Sequence, residues 1–317
     1  MNWQPESSAK RRVVTIGEPM AEFSALGGER YGLSFSGDAV NVSISSSRLG
    51  FHSSLLSSVG DDYFGRAMIK HLEWEGVDTA GIRIDKGGYT GAYFITILGQ
   101  GEHEFTYFRR SSSASNFAIS EKELRIVERG SVLHVSGIAQ AIGPKARRSV
   151  LMAAKRASAS GVAVSYDVNF RPSLWSRDSA LRAMEEVSDY VDLLFISSED
   201  WSLMHGDEMP AEKIARTLTG EGYGTVIVKS GAKGSFGIDG TVRHRQRSYP
   251  VRVIDATGAG DAFDAGFICA SLSGLDFGKA MERASINAGL KCTRKGGIRG
   301  LPTLRQLEAA LAARKNS

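Results

Sequence analysis

Asp255-Ala-Thr-Gly-Ala-Gly-Asp261-Ala-Phe263 places an acid inside a stretch built to cradle phosphate. Gly258, Ala259 and Gly260 are small enough for the backbone to curl and turn several N–H groups toward one point. The apolar run that follows, to Ala270, reads as a buried helix, so those amides stand at a helix N-terminus, where unpaired donors and the dipole favour an anion. A loop that only held phosphate would gain nothing from Asp261, whose charge repels the ligand. The acid is useful where a hydroxyl sheds a proton while attacking phosphorus: the carboxylate takes the proton and the amides stabilise the developing charge. The loop reads as a phosphoryl-transfer site, with Asp261 as general base and Gly258, Ala259 and Gly260 around the anion.

Competing motifs fail on spacing. A dinucleotide fingerprint needs a third small residue where this chain has Phe263, and it belongs in the first strand–helix turn. Gly231-Ala-Lys-Gly234-Ser has P-loop residue types without P-loop spacing, and reads as a turn near a nucleotide. A second polar group, Asp167-x-Asn169-x-Arg171, follows an apolar run ending near Tyr166. Open parallel sheets bind ligands at the edge where their strands end, and an arginine fork there suits a planar carboxylate. Arg171 paired with a neighbouring acid is the alternative. Tyr107-Phe-Arg109-Arg110 supplies a second cationic site.

The elements that must hold these groups follow from patterning. Runs at 13–16, 54–57, 132–135, 163–166, 193–196 and 225–228 are apolar and β-rich, as for strands covered on both faces. Helical periodicity intervenes at about 38–49, 63–75, 145–160, 178–188 and 210–220. The alternation predicts an α/β fold with a mainly parallel sheet flanked by helices. Two mixed strands, 92–98 and 104–108, joined by Gly99-Gln-Gly101-Glu-His, break it with a hairpin. With about 20–36 they predict a small β-sheet lid, 20–36 and 88–110, inserted in a single domain over 13–317. Residues 1–12 read as a loose tail.

Composition narrows the class. The 317 residues are 42% hydrophobic and 23% charged, as in a soluble globular chain with a sizeable core. No run is long and apolar enough for a membrane helix, and the first residues do not read as a secretory signal. Two cysteines, Cys269 and Cys292, make no disulfide framework and point to a reducing cytoplasm. The net charge of +4 gathers at the chain ends without interleaved aromatics, which argues against a nucleic-acid partner. The six histidines show no metal-ligand spacing.

These motifs resemble the ribokinase-like (PfkB-type) carbohydrate kinases. Asp-x-Thr-Gly-Ala-Gly-Asp-x-Phe is similar to that family's C-terminal signature. Ser36-Gly37-Asp38-Ala-Val-Asn41, Leu49-Gly50 and Val59-Gly-Asp-Asp-x-Phe-Gly65 are similar to its N-terminal one, although the family usually has Gly-Gly at 36–37. The resemblance runs from about Val13 to Leu311. It implies a ribokinase-like fold, ATP and Mg2+, a sugar substrate, and a lid that covers the sugar and forms a homo-oligomer surface.

Within the family, Asp-x-Asn-x-Arg-x-x-Leu-Trp, Tyr-Phe-Arg before Ser-x-Ala-Ser, and Gly17-Glu18-Pro19 look most like 2-keto-3-deoxygluconate kinases. The resemblance then implies that Tyr89, Tyr107, Arg109, Asp167, Asn169 and Arg171 hold an open-chain acid sugar, with Gly37, Asp38 and Asn41 near its hydroxyls. Fructokinases share the Asp-x-Asn-x-Arg stretch, so a ketose kinase and a 5-dehydro-2-deoxygluconate kinase are the close alternatives. An oxidoreductase or a silent sugar sensor are more distant ones. On the nucleotide side the resemblance implies Lys229, Gly231, Gly234 and Asn287, though Asn287 equally suits helix packing. Ser197 and Asp200 align with the family's Asn-x-x-Glu, near Mg2+ and phosphate, or else form a helix cap. Asp255 aligns with a position that holds a monovalent cation such as K+ in some relatives, or else caps its loop.

Overall fold

Strands that are apolar on both faces need helices on both sides, and that is how the chain folds. A computed structural model describes residues 11–99 and 102–315; most of the expected tail, and the tip of the lid hairpin at 100–101, lie outside these residues. All six expected core strands form. In spatial order Thr225–Lys229, Leu193–Ser197, Ala163–Asp167, Val132–Ser136, Arg12–Ile16 and His52–Gly60 lie side by side and parallel. The short strands Val77–Asp78 and Ile82–Asp85 add to the last of these. At the other edge the antiparallel strands Ser235–Asp239 and Val242–Gln246, not foreseen from the sequence, complete ten strands.

The expected helices stand at Asp38–Arg48, Tyr63–Trp74, Pro144–Ala159, Arg177–Ser188 and Ala211–Gly220. Pro144–Ala159 shows why: Ala146, Val150, Ala153, Ala154 and Ala157 recur at helical spacing and are all buried against the sheet. Ala259–Leu272 differs, being buried nearly all round, because it packs between Asp38–Arg48 and Phe277–Lys291. The fully buried Phe267 contributes about 1.5–3 kcal/mol to that packing. This central helix carries Asp261 in its first turn.

The second sheet has four strands, in the order Arg30–Ser36, Met20–Gly27, Gly91–Gly99 and Glu102–Phe108. One face buries Met20, Tyr93 and Ile95. Phe105 and Tyr107 pair with Ile95 and Tyr93 on that same face, whereas Tyr31 and Phe108 stand exposed on the opposite face.

Candidate active site

Four neighbouring parallel strands end in polar residues: Ser136, Asp167, Ser197 and Lys229. Register puts Ser136 beside Asp167 and Ser197 beside Lys229. The last three of these ends, the lid and the loop before the central helix enclose a cavity of about 650 Å³. Its walls include Gly37, Asp38, Asn41, Asn169, Arg171 and Asp261, together with Tyr107 and Arg109 from the lid. A second cavity of about 440 Å³ adjoins it, with a more apolar wall of Gly231, Gly234, Val253, Phe263 and Gly289. Lys229, Gly231, Ala256 and Gly260 line both. The two cavities therefore meet at the glycine loop.

Gly258 caps the central helix with φ 76°, in the left-handed region that favours glycine. The Ala259 amide closes a turn onto the Ala256 carbonyl at 3.0 Å. It is thus taken by the loop itself, contrary to its expected role as an anion donor. Among the described residues the amides of Gly260 and Asp261 have no hydrogen-bond partner, and they remain as the orphan donors of the helix start.

Asn41 Nδ2 donates to Asp261 Oδ2 at 2.7 Å and fixes that carboxylate. Burial, reinforced by the charges of Asp38 and Asp167, pushes the Asp261 pKa up to about 7 against the Asn41 bond and Lys229. A carboxylate poised there accepts a proton readily near neutral pH. Asp38, at the start of its helix, accepts from the Ser136 hydroxyl, and burial raises its pKa as well.

Lys229 Nζ bonds Asp167 at 3.0 Å and both oxygens of Asp264 at 3.0 and 3.1 Å. Burial alone would depress the lysine, but the two carboxylates outweigh it and hold its pKa above the ordinary value. The result is a fixed cation at the junction of the cavities. Asp264 carries no local mark as its partner, since an acid inside a buried helix shows nothing of what it faces.

The two arginines differ. Arg171 is about half exposed; its Nη1 donates to the Phe170 carbonyl at 3.0 Å and lies 3.9 Å from Asp200. Asn169, two residues earlier, has φ 40°, a left-handed conformation that asparagine tolerates better than most residues. Arg109 is nearly buried, pairs with Glu18 and lies over the Tyr107 ring. Glu18 also accepts from Ser112 at 2.6 Å, and burial raises its pKa. The second cationic site therefore comes with its own counter-ion.

Some expected residues are not brought to the cavities. Tyr89 is 44% exposed and donates to the Arg110 carbonyl; Tyr93 from the neighbouring strand lines the cavity instead. Asn287 is fully buried, donating to Ser45 at 3.1 Å and to the Ala262 carbonyl at 2.7 Å, so it ties helices together. Ser197 and Asp200 do reach the first cavity and line it, but they are also engaged with each other in a reciprocal helix cap. Asp200 accepts further from the Phe170 amide at 2.9 Å, and burial raises its pKa. Asp255 accepts from the Thr257 and Gly296 amides at 2.8 and 2.7 Å. Among the described residues no three His, Cys, Asp or Glu side chains cluster to hold a metal ion.

An acid base, an anion-binding helix start and two abutting cavities define a phosphotransferase-type site on an α/β sheet. Residues 10–304 match the pfkB family carbohydrate kinase pattern, and the chain belongs to that family. It is 31% identical over 314 residues to a 2-dehydro-3-deoxygluconokinase of Thermoproteus tenax, covering 95% of this chain and 94% of that protein. A fructokinase-1 of Oryza sativa subsp. japonica is 30% identical over 275 residues, or 84% and 85% of the two chains. Among solved structures, a 2-dehydro-3-deoxygluconokinase of Thermotoga maritima superposes with TM-score 0.85 at 27% identity, over 95% of this chain and 98% of that one. A candidate ribokinase II of E. coli in complex with ATP and Mg2+ superposes with TM-score 0.86 at 26% identity, over 95% and 99%. The fold is ribokinase-like and the chain is a carbohydrate kinase. No described helix is long and apolar enough to cross a membrane.

Proposed function

We propose that this kinase transfers the γ-phosphoryl group of ATP to the terminal hydroxyl of a sugar acid, 2-keto-3-deoxygluconate being the substrate that fits best. Asp261 takes the hydroxyl proton as the sugar oxygen–phosphorus bond forms and the bond to the ADP oxygen breaks. The Gly260 and Asp261 amides and Lys229 stabilise charge on the transferring group. The observation that carries the reading is that Arg171 and Arg109 line the same cavity as Asp261. An arginine fork at one end and a base at the other suit an open-chain substrate with a carboxylate and a terminal hydroxyl.

ATP would occupy the adjoining, more apolar cavity, whose wall suits a purine ring. Mg2+ would neutralise the triphosphate. The Asp200 oxygens are engaged by the helix cap and the Phe170 amide, so the ion would be held mainly by phosphate oxygens and water. The exposed lid aromatics support a homo-oligomer through the lid, which light scattering of a Tyr31→Ser, Phe108→Ser variant tests.

One observation favours a second reading. Glu18 already neutralises Arg109 and Asp200 stands 3.9 Å from Arg171, which lowers the positive charge left for a carboxylate and would suit a neutral ketose such as fructose. The deciding experiment is ADP release across a panel holding 2-keto-3-deoxygluconate, 5-dehydro-2-deoxygluconate and fructose. The proposal predicts the highest kcat/KM on the first. A preference for fructose would replace it with the ketose reading.

A further inference from the structure

The residues around Asp255 do not fit the monovalent cation that the family resemblance implies there. Thr257 and Gly296 amides take its two carboxylate oxygens, and the ammonium of Lys291 stands 3.9 Å from Oδ1. The same ammonium donates to the Asp255 carbonyl at 2.9 Å. Lys291 is the last residue of the helix Phe277–Lys291, and its side chain is fully buried. Its stem fits because position 300 is glycine: a Cβ there would lie 3.2 Å from Lys291 Cε and 2.4 Å from the Lys291 carbonyl oxygen. A free cation entering this place would meet an ammonium already paired with the available carboxylate, and like charges at that range repel strongly in a buried setting.

The contacts also explain what the lysine holds. The amides of Ile254 and Asp255 donate to the Cys292 carbonyl at 2.8 and 3.2 Å. With the Lys291 bond and the Gly296 amide, they stitch 254–255 to 291–296 immediately before the turn that presents Gly258 and Gly260. Burial lowers the Lys291 pKa from its ordinary value, and the Asp255 carboxylate opposes that.

We propose that Lys291 is a built-in cation: its ammonium takes the place of a monovalent ion in fixing Asp255 and the anion loop, so that the kinase works without K+ or Na+. Lys291 touches neither substrate nor the reacting atoms; it is a positioning residue that acts through the loop. The proposal does not depend on which sugar is phosphorylated.

The test uses the full chain with whichever sugar supports turnover, in about 100 mM KCl or tetramethylammonium chloride, so that ionic strength is matched. For wild type we expect kcat and KM for ATP to agree within about twofold, and no Tm increase specific to KCl. For Lys291→Ala, which leaves room for an ion, we expect kcat to fall roughly tenfold or more in tetramethylammonium and to recover at least in part in KCl. A packing role alone would give no recovery by the ion. Activation of wild type by KCl several-fold overturns the proposal. So does a folded Lys291→Ala that keeps wild-type kcat in tetramethylammonium, or one whose loss KCl leaves unrestored. If Lys291→Ala does not fold, the wild-type comparison decides alone.

Discussion

Asp261→Asn should cost activity and gain stability, and the two effects have one cause. The native pKa near 7, against an ordinary 3.8, means that folding penalises the ionised form. Three units at 1.36 kcal/mol each give about 4 kcal/mol; because Asp38 and Asp167 share the repulsion, we take roughly 2–4 kcal/mol. The sign follows from proton binding. Between pH 4 and 7 the folded chain holds a proton at this site that the unfolded chain has lost, so stability declines as pH rises through that window. The penalty is complete above pH 7 and absent below the unfolded pKa. Asparagine removes it while still offering Asn41 an acceptor oxygen. At roughly 2 °C per kcal/mol for a chain of this size, the variant should melt about 4–8 °C above wild type at alkaline pH, with the gap closing toward pH 4. Turnover should fall by roughly 10²–10⁴, with ATP affinity unchanged or slightly improved. Thermal scans across pH, beside steady-state kinetics, give both readouts. A gap independent of pH would refute the buried-carboxylate argument. Turnover within about tenfold of wild type would remove Asp261 as the base.

The pH dependence of wild type provides a related check: kcat/KM should rise with pH through about 7 as Asp261 loses its proton, and a flat profile there would contradict the assignment. Gly260→Val should abolish phosphoryl transfer with little loss of Tm, because a Cβ at 260 meets nothing nearer than Lys229 Nζ at 3.5 Å. A large drop in Tm with normal activity per folded molecule would make the loop purely structural. Lys229→Met leaves Asp167 and Asp264 buried without their cation, and should lower stability by about 3–5 kcal/mol. A Tm within roughly 2 °C of wild type would show that the carboxylates are not held by this lysine.

Much of the fold was legible because its signals are local. Apolar runs such as Leu193–Ser197 and the helical spacing of Pro144–Ala159 name their own elements, and both formed close to the expected limits. The edge strand Val242–Gln246 was missed because an edge has one solvated side and tolerates Arg-His-Arg, which lacks a core strand's apolar character. The site was legible where chemistry and backbone coincide, as in Gly258–Asp261. It was obscure where partners meet only in three dimensions: nothing in the sequence links Lys229 to Asp264, Glu18 to Arg109, or Lys291 to Asp255. Tyr89 and Asn287 mark the opposite limit, since a matching motif located them but could not say which way their side chains would face.

The acid-sugar assignment is tested most directly by measuring kcat/KM of wild type, Arg171→Ala and Arg109→Ala on 2-keto-3-deoxygluconate and on fructose. A charge-assisted hydrogen bond contributes about 1.5–3 kcal/mol, so each variant should lose roughly ten- to hundred-fold on the acid sugar. Any activity on fructose should change far less, and Arg171→Lys should recover only part of the loss, because a point charge does not reproduce the fork. Equal losses on both sugars would contradict the account and assign these arginines to phosphate or to the shape of a ketose pocket.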